Sequence, residues 1–472
     1  MFKDYNQDQN VLLPPSLGEM IASDHIARLL NQVIGQMDLS SIVSTYSNEL
    51  GGQKAYHPAM MLKVLVYGYL IGIRSSRKLA DKLKEDIVFM WLSGRQTPDF
   101  RTIALYRKER VADLKDIFVQ VVELCSNLGM VHLGKVSLDG TTILADSNKN
   151  RVEYRKVLNR RKTRIKELVD GIFAEADELD KEEDCLYQDH TPHTTGKPMG
   201  EKMKQRIKEQ LDKQSIQRIN KIQRKKQTLS KNVSILQAKE KIINIKLRKI
   251  RKDRNSMGNT DKDATVMMLK EKYVAPAYNA QIATEHQVIL AYNLFSNRND
   301  QKLLKPMIKK IKENNKGEKP KMIIADAGYG IKTNYRFLKN ERITAFIPYS
   351  NFKSEMSLRN QGVYQPPNKP DKELERYKAI QRYRLLSEQG KGLMDRRRED
   401  VEPTFGDIKR NMNFRRFNLR GKPKCLVELG LVSIGHNLKK IKQWVKKLAE
   451  WNDGRTIGMQ LGKVLGYIPV QG

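Results

Sequence analysis

KMIIADAGYG, residues 321–330, decides how this chain folds: a short apolar run ends in Asp326 and then meets a Gly-Tyr-Gly turn. That pattern reads as a buried strand delivering a carboxylate to its end. VSLDGTTI, residues 136–143, repeats it with Asp139. A third acid, Glu402, lies in RRREDVEPTFGDIK, residues 396–409, on a helical pattern. Acids at strand ends are common individually, so the three together carry the reading. Two carboxylates on strands and one on a helix can hold two Mg²⁺ ions about 3.5–4 Å apart, the spacing that clamps both oxygens of an in-line phosphoryl displacement. Magnesium takes hard oxygen ligands and keeps several waters, so few protein ligands suffice.

Working outward from the two aspartates, YNAQIATEHQVILAYNLFSN (278–297) reads as a hairpin with runs at 278–283 and 287–294. DQKLLKPMIKKIKENN (300–315) and KTNYRFLKNER (332–342) have helical spacing, and ITAFIPYS (343–350) is a further strand. The expected class is α/β: a mixed sheet of ribonuclease H type in outline with flanking helices, spanning 131–148 and 261–450. Residues 351–390 show no clear periodicity and are expected to form an irregular connection near substrate. A last amphipathic helix covers 425–448, before a tail at 451–472.

Arg398 precedes Glu402 by four residues and Lys409 follows it by seven, so a continuous helix would carry all three on one face. Cations beside a metal-binding carboxylate suit charge developing on phosphate. Pro403 lacks the N–H that would bond the Glu399 carbonyl, so the helix is expected to start or kink there. Glu399, Asp400 and Asp407 are rivals for the third acidic position, and a surface salt-bridge helix is the alternative for the whole segment.

Residues 149–260 interrupt this pattern. Leu158, Ile165, Ile172 and Leu179 recur every seven residues, as do Ile222, Leu229, Leu236, Ile243 and Ile250. Two heptad seams predict an inserted antiparallel hairpin with helices near 153–180 and 203–252. Its Lys and Arg surface fits either a solvated face or DNA contact.

Residues 1–130 read as an all-α N-terminal region. HPAMMLKVLVYGYLIGI (57–73) is a buried helix. Ser75 or Ser76 can cap RKLADKLKED, Gly94 can end DIVFMWLSG, and TPDFRTIALYRKER begins a third helix at Pro98 or Asp99. This third helix carries Arg101, Arg107, Lys108 and Arg110, donors that a DNA-recognition helix needs. An ordinary helical bundle with a basic face fits equally well.

The 472 residues include 88 Lys and Arg against 54 Asp and Glu, a formal charge of +34. Such an excess attracts polyanions, double-stranded DNA among them, with steep salt dependence. No stretch of about twenty apolar residues occurs and the start MFKDYNQDQN lacks a signal-peptide pattern, so no membrane association and a cytoplasmic location are expected. The three cysteines, 125, 185 and 425, form no Cys-x-x-Cys pair, and the spacing of Cys185 from His190 and His193 matches no zinc motif.

Read in order, YHPAMMLKVLVYGYLIGIRSSRKLADKL, WLSGRQTPDFRTI, LDGTTI, TDKDATVMMLK, YNAQIA, ADAGYG, VEPTFGDIKR and FRRFNLRG resemble a DDE transposase of bacterial insertion sequences, close to the branch numbered eleven eighty-two. The resemblance spans about residues 10–445. It implies a ribonuclease H-like catalytic domain in which Asp139, Asp326 and Glu402 bind Mg²⁺ or Mn²⁺, favours Asp139 over Asp146, and implies a helical DNA-binding region for terminal inverted repeats. A related signature has Tyr, Arg, Glu and Lys at fixed intervals. Arg398, Glu402 and Lys409 match it, and Asp395 stands at the tyrosine position. Cleavage and strand transfer by a homodimer joining two element ends are the expected activity. The alternatives are a non-catalytic repressor with a transposase fold and a site-specific nuclease without strand transfer.

Overall fold

The computed structural model describes residues 16–44, 46, 55–110, 114–148, 150, 152–188, 201–209, 213–250, 256–258, 260–269, 273–366 and 369–451. The chain divides into two compact units, residues 1–150 with 260–472, and residues 151–259. His190, His193 and the expected tail lie outside the described residues, apart from Trp451.

The first unit opens with α1 (Ile26–Gln36), α2 (Ser40–Val43), α3 (Pro58–Leu70), α4 (Ser76–Glu85), α5 (Ile87–Ser93), α6 (Phe100–Leu105, continued by a π turn over Tyr106–Arg110) and α7 (Leu114–Asn127). Local chemistry sets several of these boundaries. Pro58 occupies the first turn of α3, where its missing N–H costs nothing. Asp86 and Asp99 cap α5 and α6 by accepting from Val88 N and Arg101 N at 2.9 and 2.7 Å. Gly94 ends α5 in the left-handed conformation, φ 59°. Ser75 stands at the start of α4 but its side chain makes no capping bond, which corrects the cap expected there.

The sheet begins at β1 (Lys135–Leu144). In the second unit, β2 (Val152–Tyr154) pairs with β3 (Ser256–Gly258), and between them lie α8 (Arg155–Gln188), α9 (Glu201–Lys208) and α10 (Lys213–Lys249). Leu158, Ile165, Ile243 and Ile250 form one buried cluster and Leu179, Ile222 and Leu229 another. The heptad residues therefore do what their spacing predicts, closing α8 against α10 as an antiparallel hairpin.

Back in the first unit come β4 (Thr265–Met268), β5 (Val274–Glu285), β6 (Val288–Phe295), α11 (Leu304–Asn314), β7 (Met322–Ala325), α12 (Lys332–Asn340), β8 (Thr344–Phe346), α13 (Phe352–Asn360), α14 (Lys372–Leu386), α15 (Glu388–Gly406, with a π turn over Asp407–Asn411) and α16 (Lys422–Trp451). Strands run in the order β6-β5-β1-β7-β8, with β4 also on β5. β5 is antiparallel to β1 and β6, while β7 and β8 continue the sheet parallel to β1. This is the expected mixed sheet. Residues 351–390 are not irregular: they hold α13 and α14, whose mixed apolar and charged faces hide their period.

α15 packs on the sheet, and α16 packs against β6, α7, α3 and α1, so the N-terminal helices and the sheet share one core. Glu428 of α16 is fully buried and accepts from Tyr69 Oη at 2.6 Å and from the Asn418 and Leu419 N–H groups at 2.8 Å each. At the other edge, Glu285 closes β5 by accepting four backbone N–H bonds, from residues 132–135, at 2.8–2.9 Å. Those bonds fix the chain entering β1. Each Val, Ile or Leu buried from this strand adds roughly 1.5–3 kcal/mol, and Val136, Leu138 and Ile143 are fully buried.

Candidate active site

Parallel register places the two aspartates together. Leu138 of β1 pairs with Ala325 of β7, so the next residue along each strand is an aspartate, at a strand separation of about 4.8 Å. Asp326 then caps a 3-10 turn by accepting from Gly328 N at 2.9 Å, and Asp139 accepts from Gly140 N at 2.8 Å.

Three segments that look unrelated in the sequence support these carboxylates. Gln281 Nε2 donates to Asn279 Oδ1 and to Asp300 Oδ1, both at 2.8 Å, and Asn279 Nδ2 donates to the same Asp300 oxygen at 2.6 Å. Tyr329 Oη donates to Gln281 Oε1. This buried amide network explains Gly140: a Cβ there would strike Gln281 and come within 2.8 Å of Asn279 Oδ1. Asp300 lies across Gly328 from Asp326, since a Cβ on that glycine would stand 3.0 Å from Asp326 Oδ1 and 3.6 Å from Asp300 Oδ2.

Electrostatics mark the same spot. Burial pushes the Asp139 carboxyl up to about 6; the Arg397 guanidinium and the Gly140 N–H pull it down, while the charges of Asp326 and Asp300 push it up. Burial also raises Asp300, against hydrogen bonds from Asn279 and Gln281. Arg397 Nη2 lies 3.2 Å from Asp139 Oδ2, and the Arg397 Nε has no hydrogen-bond partner among the described residues.

α15 is continuous through Pro403, so the helix does not start there. The carbonyl that Pro403 frees, Glu399 O, accepts from Gln287 Nε2 at 2.9 Å, so the β5–β6 turn supplies the bond the proline removes. The Gln287 backbone N donates to Asp400, its carbonyl O accepts from His436 Nε2 at 2.8 Å, and Lys440 donates to its Oε1 at 2.7 Å. Two of the rivals for the third acidic position are thereby occupied internally. Asp400 holds this turn, and Asp407 bonds His436 Nδ1 at 2.8 Å, Lys439 and Asn411.

Glu402 is exposed on α15. Lys409, seven residues on, donates to Thr141 Oγ1 at 2.6 Å and Thr142 O at 3.0 Å on β1, close along the strand to Asp139. Arg398 is exposed and 3.7 Å from Asp395. The guanidinium at the aspartates is its neighbour Arg397, which sequence reading passed over. The buried spacing of Leu393, Arg397, Val401, Thr404, Phe405 and Ile408 is the signal that could have found it.

Arg107 corrects another expectation. It is 5% exposed, donating to Arg74 O at 2.6 Å and Tyr69 Oη at 3.1 Å, because its guanidinium helps join α3 to α6 and, through Tyr69, to Glu428. It presents no free donor face to DNA. Arg101 is exposed beside Phe100 at 5.6 Å, and Lys108 is exposed beside Glu109 at 3.3 Å. The Arg110 side chain lies outside the described residues.

Among the described residues no three His, Cys, Asp or Glu side chains are grouped to hold a metal ion. The donor chemistry nevertheless fits a hard divalent cation: Asp139, Asp326 and Asp300 supply oxygen alone, the charge of Asp326 raises both Asp139 and Asp300, and the cation nearest Asp139 is a guanidinium.

The fold is ribonuclease H-like: a mixed β6-β5-β1-β7-β8 sheet carries Asp139 on β1 and Asp326 directly after β7. Residues 15–109 match the family described as Transposase domain (DUF772), and residues 260–438 match Transposase DDE domain. The chain belongs to the DDE transposases of insertion-sequence type. No curated protein and no solved structure matches it. Among the described residues no helix is long and apolar enough to cross a membrane.

Proposed function

We propose that this transposase binds the terminal inverted repeats of its element and performs metal-dependent end cleavage and strand transfer with Asp139, Asp326 and Glu402. The observation that carries this reading is the β1–β7 register, which sets Asp139 beside Asp326 of the matched domain. Magnesium or manganese held by these oxygens, as one or two ions, supplies Lewis acidity at the scissile phosphate. Asp139 and Asp326 bind it from the sheet, and Glu402 binds it from α15. Asn279, Gln281 and Tyr329 hold Asp300 and the turn behind Asp326, limiting their motion. Arg397, Arg398 and Lys409 stabilise charge on the non-bridging oxygens. In the first step a water oxygen bonds phosphorus and the element's 3′ oxygen leaves; in the second that 3′-OH bonds a target phosphorus and the target's 3′ oxygen leaves.

Arg101, Lys108 and Arg110 contact DNA from the N-terminal region, two copies of the chain hold two ends, and the protein acts on the bacterial nucleoid. The order of motifs supports a reading close to the branch numbered eleven eighty-two. The test is to incubate pure protein with a labelled element end and a target plasmid, with Mg²⁺ or EDTA, beside Glu402→Gln. Metal-dependent cleavage and joined product, lost in the variant, are expected. Cleavage without joining would favour a nuclease, and end binding by folded protein without cleavage would favour a repressor.

A further inference from the structure

Charge along the inserted hairpin is segregated. Residues 155–166 hold seven Lys or Arg and no acid, whereas residues 167–184 hold nine Asp or Glu and one lysine. Helix stability cannot be the reason. Arg155 and Lys156 fall in the first turn of α8, which has no acid, and cations there oppose the helix dipole. Nor does pairing with α10 explain it. The acidic end of α8 is matched across the hairpin, Glu175 with Lys225 at 2.8 Å, and Asp180 and Glu183 with Lys226. At the basic end the crossing pairs are Lys162 with Glu240 at 3.8 Å and Lys246 with Glu153 at 2.7 Å. Lys156, Arg160 and Arg164 are exposed and have no ion pair among the described residues.

At about 100° per residue these three cations occupy one stripe of α8, on the side away from the Leu158 and Ile165 seam, and successive members are about 6 Å apart along the axis. With Tyr154, Thr163 and Glu167 they line an open groove of about 910 Å³. Duplex DNA carries one negative charge per about 1.7 Å of axis, so a stripe this long meets several phosphates.

We infer that the Lys156–Arg160–Arg164 stripe is a sequence-independent docking surface for the phosphate backbone of duplex DNA, a second DNA contact apart from the N-terminal helices. The inference rests on the transposase reading and adds a place to it. Neutralising a phosphate contact removes counterion release, so it shows in the salt dependence of binding.

The experiment titrates full-length protein onto a random-sequence DNA duplex at several salt concentrations, beside Arg160→Gln/Arg164→Gln, the triple variant adding Lys156→Gln, and Lys225→Gln. The slope of log affinity against log salt should become shallower by about 1.8 in the double and about 2.7 in the triple variant, at about 0.9 per lost phosphate contact. Lys225→Gln should keep the wild-type slope, because its cation is already paired. Unchanged far-ultraviolet circular dichroism would show that the hairpin persists. Wild-type slopes in both multiple variants would overturn the stripe while leaving the transposase reading intact; absence of any DNA binding by wild-type protein would instead overturn that reading. Tighter binding of an RNA duplex, lost in the same variants, would contradict the assignment to DNA.

Discussion

Arg397 Nη2 sits 3.2 Å from Asp139 Oδ2, with the two side chains 9% and 19% exposed. A buried guanidinium thus neutralises the first aspartate of the proposed metal centre. Breaking a buried pair leaves the other charge uncompensated and costs 3–5 kcal/mol in general. Arg397→Gln should therefore destabilise the protein at pH 8 in EDTA by about 3 kcal/mol, the low end, because Asp139 can take up a proton. Urea unfolding reads this, and a loss below about 1 kcal/mol would show that the pair is not formed in solution.

Asp139 ties stability to pH. Its folded carboxyl titrates at about 6 against about 3.9 unfolded, so between those values the native state binds more protons. Its contribution to stability is complete below pH 4, falls as pH rises toward 6, and stays low above. Asp139→Asn removes that penalty but leaves the buried Arg397 guanidinium without its counter-charge, so any gain in metal-free protein at pH 8 should stay well below the roughly 3 kcal/mol that the shift alone allows, while cleavage is abolished. The gain should vanish near pH 4. Thermal unfolding at both pH values checks it; equal shifts at both would contradict the assignment.

Asp407 works with the opposite sign. Burial alone would raise its carboxyl, but hydrogen bonds from His436, Lys439 and Asn411 hold it well below the usual range. That stabilisation is complete above about pH 4 and is lost as pH falls through the depressed folded value. Asp407→Asn should lower the melting temperature at pH 7 and narrow its difference from wild type in strong acid.

Gln287 should report on the helix that carries Glu402. Gln287→Ala deletes the donor to Glu399 O and the acceptor from Lys440, a loss of about 1–2 kcal/mol. Cleavage should slow with end affinity unchanged, since the bond lies three residues before Glu402. An unaltered cleavage rate would show that α15 is held elsewhere.

Arg107 and Lys108 separate stability from DNA affinity. Arg107→Met should lower stability by more than about 1 kcal/mol through the unpaired Tyr69–Glu428 array, whereas Lys108→Gln should leave stability unchanged and weaken binding. The reverse pattern would return Arg107 to the DNA surface.

Much of this structure was legible because periodicity survives where one face is buried. Short continuous apolar runs gave the strand ends at Asp139 and Asp326, and the seven-residue repeat gave the pairing of α8 with α10. What stayed hidden was contact between distant segments. Nothing local says that Asn279, Gln281, Asp300 and Tyr329 meet beneath Gly140, that Gln287 replaces the bond Pro403 removes, or that α16 serves both the sheet and the N-terminal helices. Arg397 was overlooked for a different reason: within three consecutive arginines, spacing to Glu402 selected Arg398, while burial selects its neighbour.

The most direct test of the metal centre is to load the protein with Fe²⁺ in place of Mg²⁺, generate hydroxyl radicals with ascorbate and peroxide, and map backbone cuts by mass spectrometry. Cuts near Asp139, Asp326 and Glu402, all suppressed by excess Mg²⁺, are predicted. Cuts near Asp139 and Asp326 with none in α15 would contradict the place of Glu402 in the site.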